Sequence, residues 1–193
     1  MRTMSEIKTI VTEAISEVTD ANPSGWEGGD FAAAKLVEID NRGDIGERII
    51  VKMLRALGRK VSYHPGATSE DKGWDLICDD FSYEIKTATL GKDKVTFQHE
   101  NIYKTRRYDG LIFVDIAPSD IYVSCHDKRK IDWRAIHRRK DSAFYKWDTH
   151  LRETRKFPVL QNRIETLSDF QRIFEKTEAE IRVSKQRLNL REL

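Results

Sequence analysis

A chain of 193 residues with 39% hydrophobic and 34% charged positions is long enough for one domain with a sizeable core, and its charge density marks a soluble protein. No apolar run approaches the ~20 residues of a membrane span, and no apolar leader region precedes or follows Glu6, so no membrane association is expected and the setting is read as cytoplasmic. The net charge of +2 conceals an asymmetry: residues 1–43 hold four basic against eight acidic side chains, whereas residues 126–156 hold eleven against five.

In chain order, Ile7, Ile10, Val11, Ala14, Ile15 and Val18 follow helical spacing within Thr3 to Thr19, with Thr3 and Glu6 as a capping box. Asn22-Pro23-Ser24-Gly25 ends that helix, and Asp30 caps a second, short one through Ile39. Asp44 caps a third running to Leu57 and closed by Gly58, its buried stripe being Ile45, Ile49, Ile50, Met53, Leu54 and Leu57. Lys60 to His64 reads as a strand broken by Pro65-Gly66. Two alternating segments follow, Trp74 to Cys78 and Phe81 to Thr87, then a helix over Gln98 to Tyr108. Leu111 to Ile116 and Ile121 to Cys125 are strands, and helices are expected over about 131–151 and from Ser168 to about Leu188. Cys78 and Cys125 fall on strands and suit reduced, buried thiols.

The segment Gly73 to Leu90 carries the chemistry. With Asp79-Asp80 as a two-residue turn, Cys78 pairs with Phe81, and counting outward sets Asp75 opposite Glu84. Trp74, Leu76, Cys78, Phe81, Tyr83 and Ile85 then share a core face, while Asp75, Ile77, Ser82, Glu84 and Lys86 share the other. Carboxylates facing each other across a ladder have Cβ atoms about 4.5–5.5 Å apart and repel. A divalent cation reverses that sign, and oxygen-only ligands suit Mg²⁺.

Asp75-x8-Glu84-Ile85-Lys86 resembles the signature of the PD-(D/E)xK, or restriction-endonuclease-like, nuclease superfamily, although Trp74 stands where that pattern has proline. The helix, three strands, helix, strand order from Asp44 to Ile116 is similar to the αβββαβ core of that superfamily. The resemblance implies an α/β fold with a mixed central sheet flanked by helices, in one domain: N-terminal helices over 1–43, the catalytic core over 44–125, and a basic helical region over 126–193 that reads DNA or makes a dimer. It implies Mg²⁺-dependent hydrolysis of DNA phosphodiesters, with Mn²⁺ able to substitute and with 5′-phosphate and 3′-hydroxyl products. Asp75, Glu84 and the Ile85 carbonyl would be metal ligands, and Lys86 would orient or deprotonate the attacking water. Glu47, in the third helix, matches a glutamate that approaches the metal site in related junction resolvases, and Gln98 matches a glutamine placed near the scissile phosphate.

Double-stranded DNA is the expected partner, with Lys94, Lys104, Arg106 and Arg107 as phosphate contacts. Arg134, Arg138, Arg139 and Lys140, interleaved with Trp133, Phe144, Tyr145 and Trp147, are candidate contacts on the expected basic helix. A homodimer is expected, joined through the first helix (Ile7 to Val18) or the last (Phe170 to Ile181). The leading expectation is a type II restriction endonuclease; a structure-directed nuclease such as a Holliday-junction resolvase and a non-catalytic DNA-binding module are the alternatives.

Overall fold

A computed structural model of the chain describes residues 5–19, 29–37, 39–63, 73–138, 140, 142–152 and 162–190. Apolar spacing and end signals define its helices. Helix α1 (Glu6–Ser16) starts where the Ser5 hydroxyl accepts from the Lys8 N–H, and it buries Ile7, Ile10, Val11, Ala14 and Ile15. The expected cap Thr3 lies outside the described residues. The short α2 (Ala33–Leu36) has no side-chain cap, so Asp30 does not fill that role. Helix α3 (Ile39–Ala56) begins six residues before the Ile45 start that an Asp44 cap predicts. Its end is as expected: Gly58 takes φ +73°, its N–H reaches the Arg55 carbonyl, and the Arg59 N–H reaches the Leu54 carbonyl.

Six strands make the main sheet: β1 (Val61–Tyr63), β2 (Leu76–Cys78), β3 (Phe81–Thr89), β5 (Gly110–Ile116), β6 (Ile121–Asp127) and β9 (Asn162–Arg163), in the order β1-β2-β3-β5-β6-β9. Only β3 and β5 run parallel; the other neighbours are antiparallel. The Cys78↔Phe81 and Leu76↔Tyr83 pairs match the hairpin register read from the sequence. At its turn Asp79 adopts φ +51°, and its carboxylate accepts from the Lys60 N–H at 3.1 Å and from Arg59 at 2.7 Å. One face of the sheet packs on α1, α3 and α4 (Leu167–Asn189), which bury Ile45, Ile49, Met53, Phe170, Phe174 and Ile181 against Tyr83, Ile85, Ile112 and Val114.

The other face is covered by a second, three-stranded sheet, β4-β8-β7, made of β4 (Thr96–Tyr103), β7 (His137–Arg138) and β8 (Phe144–His150). This is the main departure from expectation. The expected helix over Gln98 to Tyr108 is strand β4 and its following loop, and the expected helix over 131–151 is a turn followed by β7 and β8. A parallel β3–β5 pair requires a long crossover. Here the crossover runs through a strand of another sheet instead of a helix, so the expected αβββαβ order is not the observed one, although the mixed α/β class is.

Two registers explain the misreading. In β4, Phe97, His99 and Ile102 point inward because a bulge between His99 and Ile102, with Asn101 at φ +55°, inserts a residue. Spacings of two and then three imitate a helical stripe. In β8 the inward set Tyr145, Trp147 and Thr149 alternates strictly, but the charged residues between dominate the pattern.

Asp115 is fully buried between the sheets, where one oxygen lies 2.7 Å from His99 Nε2 and the other accepts from the Thr149 hydroxyl at 2.7 Å. The His99 ring stacks on Phe113 with centroids 4.2 Å apart. Burial and the neighbouring His99 push the His126 imidazole down to about 4.

The apolar stripes expected to form a dimer contact are used within the chain: Ile7, Val11, Ile15, Phe170, Phe174 and Ile181 all sit in its own core. Among the described residues no helix is long and apolar enough to cross a membrane.

Candidate active site

The Asp75–Glu84 hairpin lies where β2 ends and β3 continues. Gly73 turns the chain at φ +78°, and the regular ladder stops at Leu76↔Tyr83: the Asp75 N–H also reaches the Tyr83 carbonyl, at 2.9 Å, so Asp75 departs from the register that would set it directly opposite Glu84. Trp74 breaks the expected alternation. It packs against the Ile102, Tyr108, Leu111 and Phe113 cluster between the sheets instead of joining Leu76 and Cys78.

Asp75 turns its carboxylate back onto β3, where Oδ2 accepts from the Ile85 N–H at 2.6 Å. In an extended strand a residue's N–H and C=O point to the same side, so the Ile85 carbonyl faces the same space beyond the end of β2. Glu84 is fully buried. Its Oε1 receives Lys86 Nζ at 2.7 Å and Arg106 Nη1 at 2.9 Å, whereas its Oε2 has no hydrogen-bond partner. Burial first, and then the charge of Glu84, push the Asp75 carboxyl up to about 6; Lys86, the Ile85 N–H and Arg106 oppose that rise.

Glu47 reaches the same region from α3. Its neighbour Gly46 allows this, since a Cβ there would lie 1.8 Å from Thr87 Oγ1, so helix and strand could not approach this closely. Burial, followed by the charges of Asp75 and Asp44, pushes Glu47 up to about 8, and Tyr63 and Lys86 oppose the rise. The structure therefore brings Asp75, Glu84, Lys86, Ile85 and Glu47 together, with Arg106 added.

A buried carboxylate oxygen without a partner is costly, and two crowded carboxylates beside a backbone carbonyl form an all-oxygen donor set that fits a magnesium ion. Mg²⁺ needs only one or two carboxylates and completes its shell with water and phosphate oxygens. Among the described residues no group of three or more Asp, Glu, His or Cys side chains could hold a metal.

The remaining candidates are dispersed. Gln98 is exposed on the outer face of β4, opposite the inward Phe97 and His99. Lys94 sits in the turn before β4 with φ +59°. Lys104 and Arg107 are exposed in the loop after β4. Arg134 is exposed in a turn, and Arg138 lies on β7, two strands from β4, with its Nε donating to the Ser142 carbonyl at 3.2 Å. Lys140 is exposed, and Arg139 lies outside the described residues. Of those that are described, none stands on a helix, so the helix expected to carry Arg134, Arg138 and Lys140 is not observed.

Sequence reasoning missed Gly46, whose need is visible only once α3 lies on β3. It also missed the bond between Arg106 and Glu84, which spans 22 residues and has no local signal.

No family model matches the chain, and no curated protein matches it. Among solved structures, it is similar to a bacterial homing endonuclease, I-Ssp6803I, over 76% of this chain and 98% of that one, with 12% identity and a TM-score of 0.45. A likeness at that score fixes neither fold family nor chemistry, and the functional reading has to stand on the site's own geometry.

Proposed function

We propose that the chain is a Mg²⁺-dependent DNA endonuclease of the PD-(D/E)xK type, cutting double-stranded DNA at a specific sequence. The observation that carries this reading is the fully buried Glu84, with one oxygen held by Lys86 and Arg106 and the other unpartnered, facing an Asp75 that is crowded up to about 6. A purely structural ion pair would leave neither an orphan oxygen nor a second carboxylate beside it.

Asp75 and Glu84 would hold a magnesium ion, whose chemistry would be Lewis acidity toward the scissile phosphate and acidification of a bound water. Asp75 is prepared for that role by the Ile85 N–H, which fixes its carboxylate and leaves the Ile85 carbonyl on the same side. Lys86 lies two residues beyond Glu84 on the same strand face, within reach of both the attacking water and a phosphate oxygen. Arg106, mostly buried with its guanidinium 4.2 Å over the Tyr103 ring, offers a fixed positive charge to the developing phosphorane. In the metal-free site burial and the charges of Asp75 and Asp44 push Glu47 up to about 8, which limits the negative charge it adds beside the pair.

Sequence specificity is assigned to the outer face of the second sheet. It presents Gln98, Glu100, Lys146 and Asp148, donor and acceptor groups of the kind that read base edges in the major groove. The direct test is incubation with supercoiled plasmid and with a four-way junction, in Mg²⁺, Ca²⁺ or chelator. Discrete cuts in plasmid with Mg²⁺ are expected, with Ca²⁺ supporting binding only. Cleavage confined to the junction would replace sequence-specific cutting with a resolving activity, and full activity in chelator would overturn the metal assignment.

A further inference from the structure

We propose that an open groove leading from Arg106 past the adjoining ends of β5 and β6 to the last turns of α4 is the seat of the DNA backbone, and that Lys128, Arg129 and Lys185 bind phosphates within it. The assignment rests on the nuclease reading above and adds the path by which substrate reaches Glu84.

Three separate segments build this groove: the loop after β4 brings Lys104, Arg106 and Arg107, the turn after β6 brings Lys128 and Arg129, and α4 brings Lys185. Three carboxylates face these six cations, Glu84 being the one that holds Arg106 at 2.9 Å. Asp109 accepts from Arg129 at 2.9 Å and from Lys185 at 3.0 Å, and Asp127 lies 3.7 Å from Arg129. Positive charge is therefore in excess, and Asp109 holds two of the cations in place, which lowers the ordering cost of binding. The cations line an open trough instead of converging on one point, an arrangement suited to the repeating charge of a nucleic-acid backbone more than to one small anion.

The groove is joined to the catalytic hairpin through one residue. The Lys128 ammonium donates to the Arg106 carbonyl and lies 4.4 Å over the Tyr108 ring, while the Arg106 side chain holds Glu84. A phosphate seated by Lys128 is thereby linked through one residue, Arg106, to Glu84.

The test is anisotropy of a labelled duplex with the full chain in chelator, over a range of KCl concentrations. Replacing Lys128, Arg129 and Lys185 together by Gln should weaken binding at least tenfold and lower the log–log salt slope by about 0.9 for each phosphate that is no longer neutralised. Arg172→Gln, on the same helix but well away from the groove, should leave the slope unchanged. A folded triple variant with the wild-type slope would overturn the assignment. If the triple variant melts early, K104Q with R107Q, both at exposed loop positions, decides in its place, and an unchanged slope there overturns it equally. Wild-type protein that binds with a steep slope but never cleaves in Mg²⁺ would sink the nuclease reading and leave the groove standing. Cleavage with an unaltered slope in the variants would do the reverse.

Discussion

Asp75 Oδ2 sits 2.6 Å from the Ile85 nitrogen, so the carboxylate on one arm of the hairpin is tied to the strand that carries Glu84 and Lys86. The geometry of the pair is set by the fold before any ion arrives, and in chelator the fold bears the repulsion.

Removing that repulsion should separate stability from activity. Asp75→Asn is expected to abolish cleavage, by at least a hundredfold, and to raise the melting temperature in chelator. The sign follows from the raised carboxyl. Its ionisation opposes folding as pH climbs from the ordinary range near 4 to about 6, so the variant's advantage should grow across that window and then level off. Thermal melts from pH 4 to 7 check it, and a variant less stable than wild type at pH 7 would contradict the crowding.

Glu84 behaves differently, because it is fully buried beneath two cations. Glu84→Ala should also abolish cleavage, but at a cost of about 3–5 kcal/mol, as expected when one partner of a buried ion pair is removed. Urea titration measures that cost, and near wild-type cleavage by the variant would refute its role as a ligand.

Glu47 should contribute to the pH dependence of the metal-free protein between about pH 4.5 and 8. Its carboxyl is raised to about 8, so wild-type stability in chelator should decline as pH rises toward 8, and Glu47→Gln should flatten that decline. The two proteins should converge below about pH 4.5, where the glutamate is protonated in both folded and unfolded states. Denaturant titrations at pH 4.5 and 8.5 decide this.

Gly46→Ala should lift α3 from β3. A methyl group placed 1.8 Å from Thr87 Oγ1 and 3.0 Å from its Cβ forces the Thr87 side chain or the helix to shift, and a destabilisation of about 1–3 kcal/mol is expected for such overpacking. Cleavage should fall as well, because Glu47 follows directly on the same helix. Stability at the wild-type level would show that the helix is not held at this distance.

The hairpin was legible because every relevant rule is local: period-two alternation, a two-residue turn, and Asp75 and Glu84 equidistant from that turn. The α1, α3 and α4 stripes were legible for the same reason, since Ile45, Ile49 and Met53, or Phe170 and Phe174, repeat at helical spacing. The second sheet was not. Phe97, His99 and Ile102 are in phase only if a bulge is known in advance, and His99 looks polar until Asp115, itself held by the Thr149 hydroxyl, meets it across the core. The true surroundings of Glu84 were equally hidden, because Arg106 arrives through a loop whose position depends on the sheet that was misread.

The bulge in β4 fixes more than one strand's alternation. By spending one extra residue at Asn101, the chain comes out of β4 half a repeat out of step, with Ile102 inside and Tyr103 outside, edge-on to Phe144. Tyr103 is the ring on which the Arg106 guanidinium rests, and that guanidinium is what reaches Glu84. Deleting a single residue from this strand would turn the ring inward and withdraw a charge from the hairpin, so the electrostatics of Glu84 are set in part by a frame-keeping residue in the other sheet.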